Sequence, residues 1–282
     1  MDVRRAMQLR CGSTLLDLTL PKVMGVLNVT PDSFSDGGRY VSHGRALEHA
    51  EAMIEAGAAL IDVGGESTRP GAVPVSVEEE LRRVIPVVEQ LGRAGRAVIS
   101  VDTSTPQVIR AAAAAGATLI NDVRGLQREG ALEAAVSTDC AVCVMHMQGE
   151  PHSMQTRPEY TDVVAEVKAF LKDRVAACEA AGIDRDRIVI DPGFGFGKTV
   201  AHNLALVRQL PDLIALGLPV MMGMSRKSTI AVLTGRADGG RLGGSLALAV
   251  AAVLRGAHII RAHDVAETVD ALKVAHAVQA GV

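Results

Sequence analysis

The sequence predicts a (β/α)8 barrel, the TIM-barrel architecture, with a β-hairpin in front of it. The first observation is that eight short apolar runs alternate with helical patterns along the 282 residues, an order that requires parallel pairing of the strands. The second is the spacing, because eight such units in about 240 residues favour a closed barrel over an open sheet. No linker composition or internal repeat divides the chain. We therefore expect one domain that spans residues 1–282.

The hairpin comes first, because residues 7–20 alternate in polarity around Gly12 and Ser13. The eight expected barrel strands follow at Val23–Leu27, Leu60–Val63, Ala97–Val101, Thr118–Ile120, Ala141–Met145, Arg187–Ile190, Pro219–Met222 and His258–Ile260. The helical patterns between them include residues 44–56, 77–91, 106–115, 160–181 and 244–255. Several of these patterns end at a glycine, as is typical where a helix stops before the next strand.

The composition is that of a globular protein with an aliphatic core. Hydrophobic residues make up 48% of the chain, but only four residues are Phe, two are Tyr and none is Trp. The net charge of −3 gives no electrostatic reason to expect nucleic acid or an anionic membrane as a partner. No apolar run reaches the roughly 18 residues of a membrane span, and the N-terminal segment lacks the apolar stretch of a signal peptide. We expect a cytoplasmic protein.

Two of the four cysteines, Cys140 and Cys143, form an isolated CxxC motif. A redox pair of the thioredoxin type opens a helix, and a zinc site needs a second pair of ligands. Here the motif runs into an apolar strand pattern. The sequence therefore favours small buried hydrophobic residues over redox or metal chemistry at this motif.

Polar residues stand at the C-terminal ends of the apolar runs, where a (β/α)8 barrel carries its active site. They are Asn28, Asp62, Asp102, Asn121, His146, Asp191, the tripeptide 225–227, Arg261 and His263. Any single Asp or Asn in such a place is explained by helix capping. Their recurrence at one strand end after another indicates instead a convergent site.

Arg261 and His263 lie two residues apart at the end of the last strand, so we expect them to point to one side. An Arg beside a His suits a phosphate or pyrophosphate. Asn28 follows the first barrel strand, which neighbours the last one in a closed barrel. Asn28 could share that anion or a Mg²⁺ ion, because Mg²⁺ commonly combines few protein ligands with phosphate oxygens. The alternative is that Arg261 pairs with Asp264 or another nearby carboxylate.

Asp102, Asn121 and Asp191 would place two carboxylates and an amide in the barrel mouth, which is costly without a ligand that donates hydrogen bonds. The aminopyrimidinone edge of a flat heterocycle offers such donors, and Lys227 could meet a ring carbonyl or ring nitrogen. In a competing interpretation Lys227 is the Schiff-base lysine of an aldolase. That role needs a desolvated amine of lowered pKa, whereas we expect Arg226 and the mouth carboxylates around this one.

Three glycine-containing segments are further candidates for contact with a ligand. The segment 190–199, IDPGFGFGKT, fails the Walker pattern because Pro192 replaces a required glycine. Its glycines suggest a close approach of the backbone to a flat ligand, with Phe194 or Phe196 as an apolar wall. The composition of segments 28–38 and 62–71 is compatible either with binding loops for a small aromatic acid or with solvated loops.

Eight motifs, in this order, resemble those of the dihydropteroate synthases of the folate pathway: LNVTPDSFSDGG, GAALIDVGGESTRPGA, SVDTS, INDVRG, VMHMQG, DPGFGFGK, GMSRKS and RAHDV. The resemblance covers about residues 8–280. It implies a single pterin-binding (β/α)8 barrel, usually a homodimer. It also implies that 6-hydroxymethyl-7,8-dihydropterin pyrophosphate condenses with p-aminobenzoate, with Mg²⁺, to give 7,8-dihydropteroate and pyrophosphate.

The resemblance also implies roles for individual residues. The implied catalytic residues are Asn28, Asp36, Arg69, Lys227, Arg261 and His263, with Asn28 also close to Mg²⁺. The implied pterin pocket is formed by Asp102, Asn121, Asp191 and Lys227, with Met145 and Phe196 nearby. The implied region for p-aminobenzoate and for sulfonamide inhibitors contains Phe34, Thr68, Arg69, Pro70 and Ser225. Arg261, His263 and Asn28 would bind the pyrophosphate.

Two alternatives share parts of this pattern. A pterin-binding methyltransferase barrel would use the same carboxylates but has no use for the two loop motifs. A non-catalytic paralogue would bind pterin alone, and a degraded Lys227, Arg261 or loop motif would favour it. All of these are intact in this chain.

Overall fold

The computed structural model describes residues 7–29, 39–66, 75–149, 154, 158–236 and 240–281. Eight parallel strands form the barrel: β3 (Lys22–Asn28), β4 (Leu60–Gly64), β5 (Val98–Asp102), β6 (Leu119–Asp122), β7 (Ala141–Met145), β8 (Ile188–Asp191), β9 (Met221–Met222) and β10 (Ile259–Ala262). They are hydrogen-bonded in the order β8-β7-β6-β5-β4-β3-β10-β9. A bridge between Ile190 and Val220 joins the two outer strands. The predicted barrel is confirmed.

The predicted hairpin is also confirmed. Strands β1 (Gln8–Cys11) and β2 (Thr14–Asp17) pair antiparallel around Gly12 and Ser13. Gly12 has a φ of +57°, a value that favours glycine at the turn. Arg10 anchors the hairpin to the loop before β8, because its guanidinium donates to Asp184 at 2.7 Å and to Asp186 at 2.8 Å and 2.9 Å.

Helices lie between the strands and follow the last of them: α1 (Arg39–Glu55), α2 (Val77–Ala94), α3 (Pro106–Ala114), α4 (Ala131–Val136), α5 (Val163–Ala180), α6 (Val200–Arg208), α7 (Leu210–Ile214), α8 (Ser228–Thr234), α9 (Leu242–Val253) and α10 (Val265–Ala280). Local caps set where the longer ones begin. Ser76 accepts from the backbone N–H of Glu79 before α2, and Asp162 accepts from two N–H groups at the start of α5. No helix in the described part of the chain is long and apolar enough to cross a bilayer.

The strands alternate between two faces, and each face has its own core. Outward-facing residues such as Ile61, Val101 and Val144 pack with the helices in the larger cluster of buried side chains. Inward-facing residues at the strand starts form a second cluster, which contains Met24, Leu60, Val98, Leu119, Ala141, Cys143, Val189, Met221 and Ile259. Leu9 and Leu18 from the hairpin segment belong to this second cluster. The hairpin therefore closes the N-terminal end of the barrel, and only the other end is left for binding.

All four cysteines are buried and unbridged. Burial raises the pKa of the Cys143 thiol, and the nearby carboxylates of Asp191 and Asp62 raise it further. Burial also raises the pKa of Cys140. Protonated thiols in these places act as small hydrophobic side chains, which agrees with the interpretation of the CxxC motif from sequence.

Candidate functional site

Polar residues occupy the inward positions at the C-terminal ends of the strands, directly above the apolar inner layer. The strand register aligns Asn28 with Gly64, Gly64 with Asp102, and Asp102 with Asn121. Across the barrel, Met145 is aligned with Asp191. Most of these polar residues are the last or next-to-last residues of their strands rather than loop residues after them. The predicted strand ends were therefore one or two residues early at these places.

Asp62 lies at the centre of the polar layer with no exposed surface. Its carboxylate accepts hydrogen bonds from Ser100 Oγ at 2.5 Å, Asn121 Nδ2 at 2.9 Å and Arg261 Nε at 2.6 Å. Three donors, one of them charged, compensate for the removal of this carboxylate from water. Asp62 thus connects four strands, β4, β5, β6 and β10.

Arg261 spans two carboxylates inside the barrel. Its Nε donates to Asp62, and its Nη2 donates to Asp102 at 2.9 Å. Burial on its own would lower the pKa of Arg261, but the two carboxylates raise it, so the guanidinium stays charged. The alternative pairing with Asp264 is wrong, because Asp264 binds Arg226 instead. Pairing with a nearby carboxylate does occur, and it holds Arg261 in the mouth.

Burial shifts Asp102, Asp191 and Lys227 in the mouth toward their neutral forms, whereas Arg261 stays charged. It raises the pKa of Asp102 to about 7, although Arg261 opposes the shift. It also raises the pKa of Asp191, against the effect of Lys227. The pKa of Lys227 is lowered by burial to about 7, against the effect of Asp191. Such shifts are typical of sites that bind polar ligands or do acid–base chemistry.

The surroundings of Lys227 differ from those expected. Its Nζ donates to the carbonyl oxygen of Phe194 and lies 4.3 Å from the centre of the Phe196 ring. Arg226 has a φ of +58°, and its exposed side chain pairs with Asp264 outside the barrel. Desolvation outweighs the effect of the carboxylates on the pKa of this amine, so the choice between a hydrogen-bonding and a Schiff-base lysine stays open at this point.

The glycines of the segment after β8 are needed for contact with protein rather than with a ligand. A Cβ on Gly193 would lie 1.8 Å from the carbonyl oxygen of His146, and one on Gly197 would lie 2.4 Å from that of Gln148. Phe194 is completely buried, so it cannot form an exposed wall, whereas Phe196 is partly exposed beside Lys227. The segment is therefore packed closely against the end of β7.

Ser225 and His263 are in direct contact. Ser225 Oγ accepts from the backbone N–H of His263 at 3.2 Å and lies 3.1 Å from its Nδ1. Ser225 was assigned to the p-aminobenzoate region and His263 to the pyrophosphate region. The two residues therefore adjoin between the ends of β9 and β10.

Asn28 fits a role as a magnesium ligand. A Cβ placed on Gly64 would lie 3.7 Å from Asn28 Oδ1 and 3.8 Å from Asp102 Oδ2. The amide oxygen and a carboxylate oxygen thus lie above the same glycine. Both are hard oxygen donors of the kind that Mg²⁺ prefers, and Asp102 Oδ2 also accepts from Arg261 Nη2.

The structure brings together many of the predicted site residues at the C-terminal end of the barrel: Asn28, Asp102, Asn121, Met145, Asp191, Phe196, Ser225, Lys227, Arg261 and His263. Phe34, Asp36, Thr68, Arg69 and Pro70 lie outside the described residues. Asp62 was expected among the polar residues at the strand ends but was given no role there, and nothing in the sequence marks Lys198 as buried.

Comparison with known proteins identifies the family. The model of the pterin binding enzyme family matches residues 24–263. The dihydropteroate synthase of Escherichia coli K12 is 56% identical over 271 residues, which cover 96% of each chain. The chain belongs to the dihydropteroate synthase family. It is accordingly a transferase.

Solved structures of dihydropteroate synthases share the fold. The Yersinia pestis enzyme in complex with a sulfonamide drug has a TM-score of 0.92 at 51% identity, over 97% of this chain and 100% of that one. The Xanthomonas albilineans enzyme with 4-aminobenzoic acid has a TM-score of 0.92 at 52% identity, over 98% and 99%. The same enzyme in complex with 7,8-dihydropteroate has a TM-score of 0.86 at 47% identity, over 97% and 98%.

Proposed function

We propose that this dihydropteroate synthase family member condenses 6-hydroxymethyl-7,8-dihydropterin pyrophosphate with p-aminobenzoate. The products are 7,8-dihydropteroate and pyrophosphate. The observation that carries the proposal is the layer of polar side chains in the barrel mouth, where the buried Asn121 and Asp191 converge with the partly buried Asp102 and Arg261. Relatives with the same fold bind 4-aminobenzoic acid and 7,8-dihydropteroate, which supports the choice of substrates.

The pterin ring would lie between the carboxylates and Lys227. Its amino and ring N–H groups would donate to Asp102 and Asp191, and these bonds would offset the cost of burying the two carboxylates. Asn121 and Lys227 would meet the remaining polar edge of the ring, while Met145 and Phe196 provide apolar contacts. Burial lowers the pKa of Lys227 to about 7, so both the ammonium and the neutral amine are accessible near neutral pH, and each form has N–H groups that can donate to the ring.

Arg261 and His263 would bind the pyrophosphate. A guanidinium has five N–H donors, and the bonds to Asp62 and Asp102 use two of them. Arg261 can therefore bind an anion while its ion pairs stay in place. Asn28, with Asp102 near it, would hold a Mg²⁺ ion together with the phosphate oxygens. When bound, Mg²⁺ neutralises part of the negative charge of the pyrophosphate.

In the proposed chemistry the C–O bond between the pterin methylene and the pyrophosphate breaks first. The electron pair leaves with the pyrophosphate oxygen, where Arg261 and His263 stabilise the developing charge. The electron-rich pterin stabilises the cationic methylene until the arylamine nitrogen attacks it, and the amine then releases a proton. No strong base is required, because an arylamine is a neutral nucleophile at pH 7.

The p-aminobenzoate would lie beside Ser225, with Phe34, Asp36, Thr68, Arg69 and Pro70 contributed by the two segments that follow β3 and β4. We propose that sulfonamides compete for the same place, as a Yersinia pestis relative binds such a drug. The four unbridged cysteines suit a reducing compartment, and we propose that the protein works in the cytoplasm.

The experiment that tests the function measures dihydropteroate formation with both named substrates and Mg²⁺. With a series of substituted p-aminobenzoates, we expect the chemical step to depend only weakly on the basicity of the amine. A steep dependence would mean that the amine is engaged in the transition state and would overturn the ionisation-first order. The absence of product with wild-type protein would overturn the function itself and favour a paralogue that only binds pterin.

A further inference from the structure

Lys198 is a buried cation that has no part in the proposed chemistry. The residue is only 3% exposed. Its Nζ lies 2.9 Å from His146 Nδ1, 2.9 Å from the carbonyl oxygen of Phe196 and 3.0 Å from that of Gly193. A further contact to the carbonyl oxygen of His146 is 3.3 Å long. Three close acceptors match the three N–H groups of an ammonium, so all of its donors are directed at the protein itself.

The His146 ring is a fixed acceptor for this ammonium. Burial lowers the pKa of Lys198 to about 7, against the charge of Asp191. In its ammonium form Lys198 can only donate, so His146 Nδ1 accepts and the ring proton is on Nε2. Burial lowers the pKa of His146 to about 3, with a contribution from the charge of Lys198, so the ring remains neutral. The ring also packs edge-on against Phe170, with the ring centres 4.9 Å apart. Lys198 is thus attached to the end of β7.

The other partners of Lys198 lead to the proposed pterin pocket. Gly193 accepts from Lys198 through its carbonyl group, and its N–H donates to Asp191 Oδ1 at 2.7 Å. Phe196 accepts from Lys198 through its carbonyl group, and its ring lies against the Lys227 amine. Gly193 therefore links Lys198 to the Asp191 carboxylate through one hydrogen bond on each side. The hydrogen bond from Lys198 to the Phe196 carbonyl also fixes the backbone that carries the Phe196 ring.

We infer that Lys198 is a positioning residue for pterin recognition, which holds the segment after β8 against β7 and so orients Asp191 and Phe196. This inference rests on the proposed function. Lys198 does not contact the substrate in this arrangement. It acts because three acceptors from two adjacent strand ends share a single buried amine. Loss of that amine removes the donor to His146 Nδ1 and to the Phe196 carbonyl, and leaves the Gly193 carbonyl with only the backbone N–H of Phe196.

The test is the variant Lys198→Met, which keeps the length of the side chain and removes its donors. The affinity for 6-hydroxymethylpterin is measured by calorimetry, and the KM values of both substrates are measured separately. We expect the Kd and KM for the pterin to rise roughly 10- to 100-fold, as for the loss of a charged hydrogen bond. The KM for p-aminobenzoate at saturating pterin should stay within twofold of wild type.

Two further variants make the result decisive. Lys172→Met on the exposed surface of α5 is the matched control and should leave the affinity unchanged. If Lys198→Met does not fold, His146→Gln removes the ring acceptor and leaves the two carbonyl contacts to Gly193 and Phe196. It should weaken pterin binding several-fold.

Unchanged pterin affinity in folded Lys198→Met, or in His146→Gln where the first variant is unfolded, overturns the inference. A purely structural role would lower the melting temperature and the fraction of active protein but leave the affinity per active site unchanged. Failure of the wild-type protein to bind the pterin is a different result, because it contradicts the proposed function rather than the role of Lys198.

Discussion

A buried carboxylate such as Asp62 is stable only because donors from three other strands reach it. Ser100, Asn121 and Arg261 all donate to it, so Asp62 determines where the Arg261 guanidinium lies without being exposed itself. Because Asp62 positions the Arg261 guanidinium, the ion pair between Arg261 and Asp102 also depends on Asp62. We therefore propose that Asp62 aligns Arg261, the cation that would bind the leaving pyrophosphate.

The variant Asp62→Asn should reduce kcat/KM because it replaces a charged acceptor of Arg261 by a neutral amide of similar shape. Loss of a charge-assisted hydrogen bond costs about 1.5–3 kcal/mol, so we expect roughly a 10- to 100-fold decrease. Steady-state kinetics with both substrates measure it. Glu89→Gln, which removes an exposed ion pair with Arg93, is the control. A value within twofold of wild type would show that Arg261 is held adequately by Asp102 alone.

Lys227 has the lowered pKa that a Schiff-base lysine needs, about 7, so its chemistry has to be tested directly. Its amine donates to the Phe194 carbonyl and lies against the Phe196 ring. We expect no imine with a phosphorylated ketose, and borohydride treatment should add no mass to the peptide that contains Lys227. Lys172 is the reference for non-specific labelling. A reduced adduct confined to Lys227 would support the aldolase interpretation.

At the scale of elements, periodicity predicted every barrel strand to within two residues, and Ala141–Met145 without error. Most of the errors share one cause. A polar residue after an apolar run was taken as the start of a loop, but in a barrel with a polar mouth the strand continues through it. Thus Asn28, Asp102 and Asp191 lie inside strands. The contact of Lys198 with His146 could not be predicted, because it joins residues 52 positions apart in sequence.

The N-terminal hairpin has a structural task that can be separated from catalysis. Leu9 is completely buried in the inner cluster at the closed end of the barrel. The variant Leu9→Ala should lower the free energy of unfolding by about 2–5 kcal/mol, as measured by chemical denaturation. Leu15→Ala, at a position 55% exposed, should have little effect. The kcat of folded Leu9→Ala should equal that of wild type, since the mouth lies at the opposite end. A large loss of kcat would contradict this separation.

At the scale of the whole molecule, the large exposed hydrophobic side chains are concentrated on one side. Of the nine in the described part of the chain, five lie on α8, α9 and α10, and Leu254 directly follows α9. Helix α9 contacts both of the others. Val274 and Val278 are 65% and 76% exposed, and their spacing of four residues puts them on one face of α10. Apolar patches of this kind are typical of protein–protein interfaces. We propose that this side forms the interface of a homodimer.

We therefore expect the wild-type protein to sediment as a dimer, and the double variant Val274→Glu, Val278→Glu to sediment as a monomer. Two carboxylates in an apolar interface would have to be desolvated without a partner, whereas on an exposed helix face they cost little. The melting temperature of the double variant should accordingly be lower than that of wild type only by the contribution of dimer formation. Val136→Glu, on α4 away from this side, should remain dimeric. A wild-type monomer would contradict the homodimer, and a dimeric double variant would move its interface away from α10.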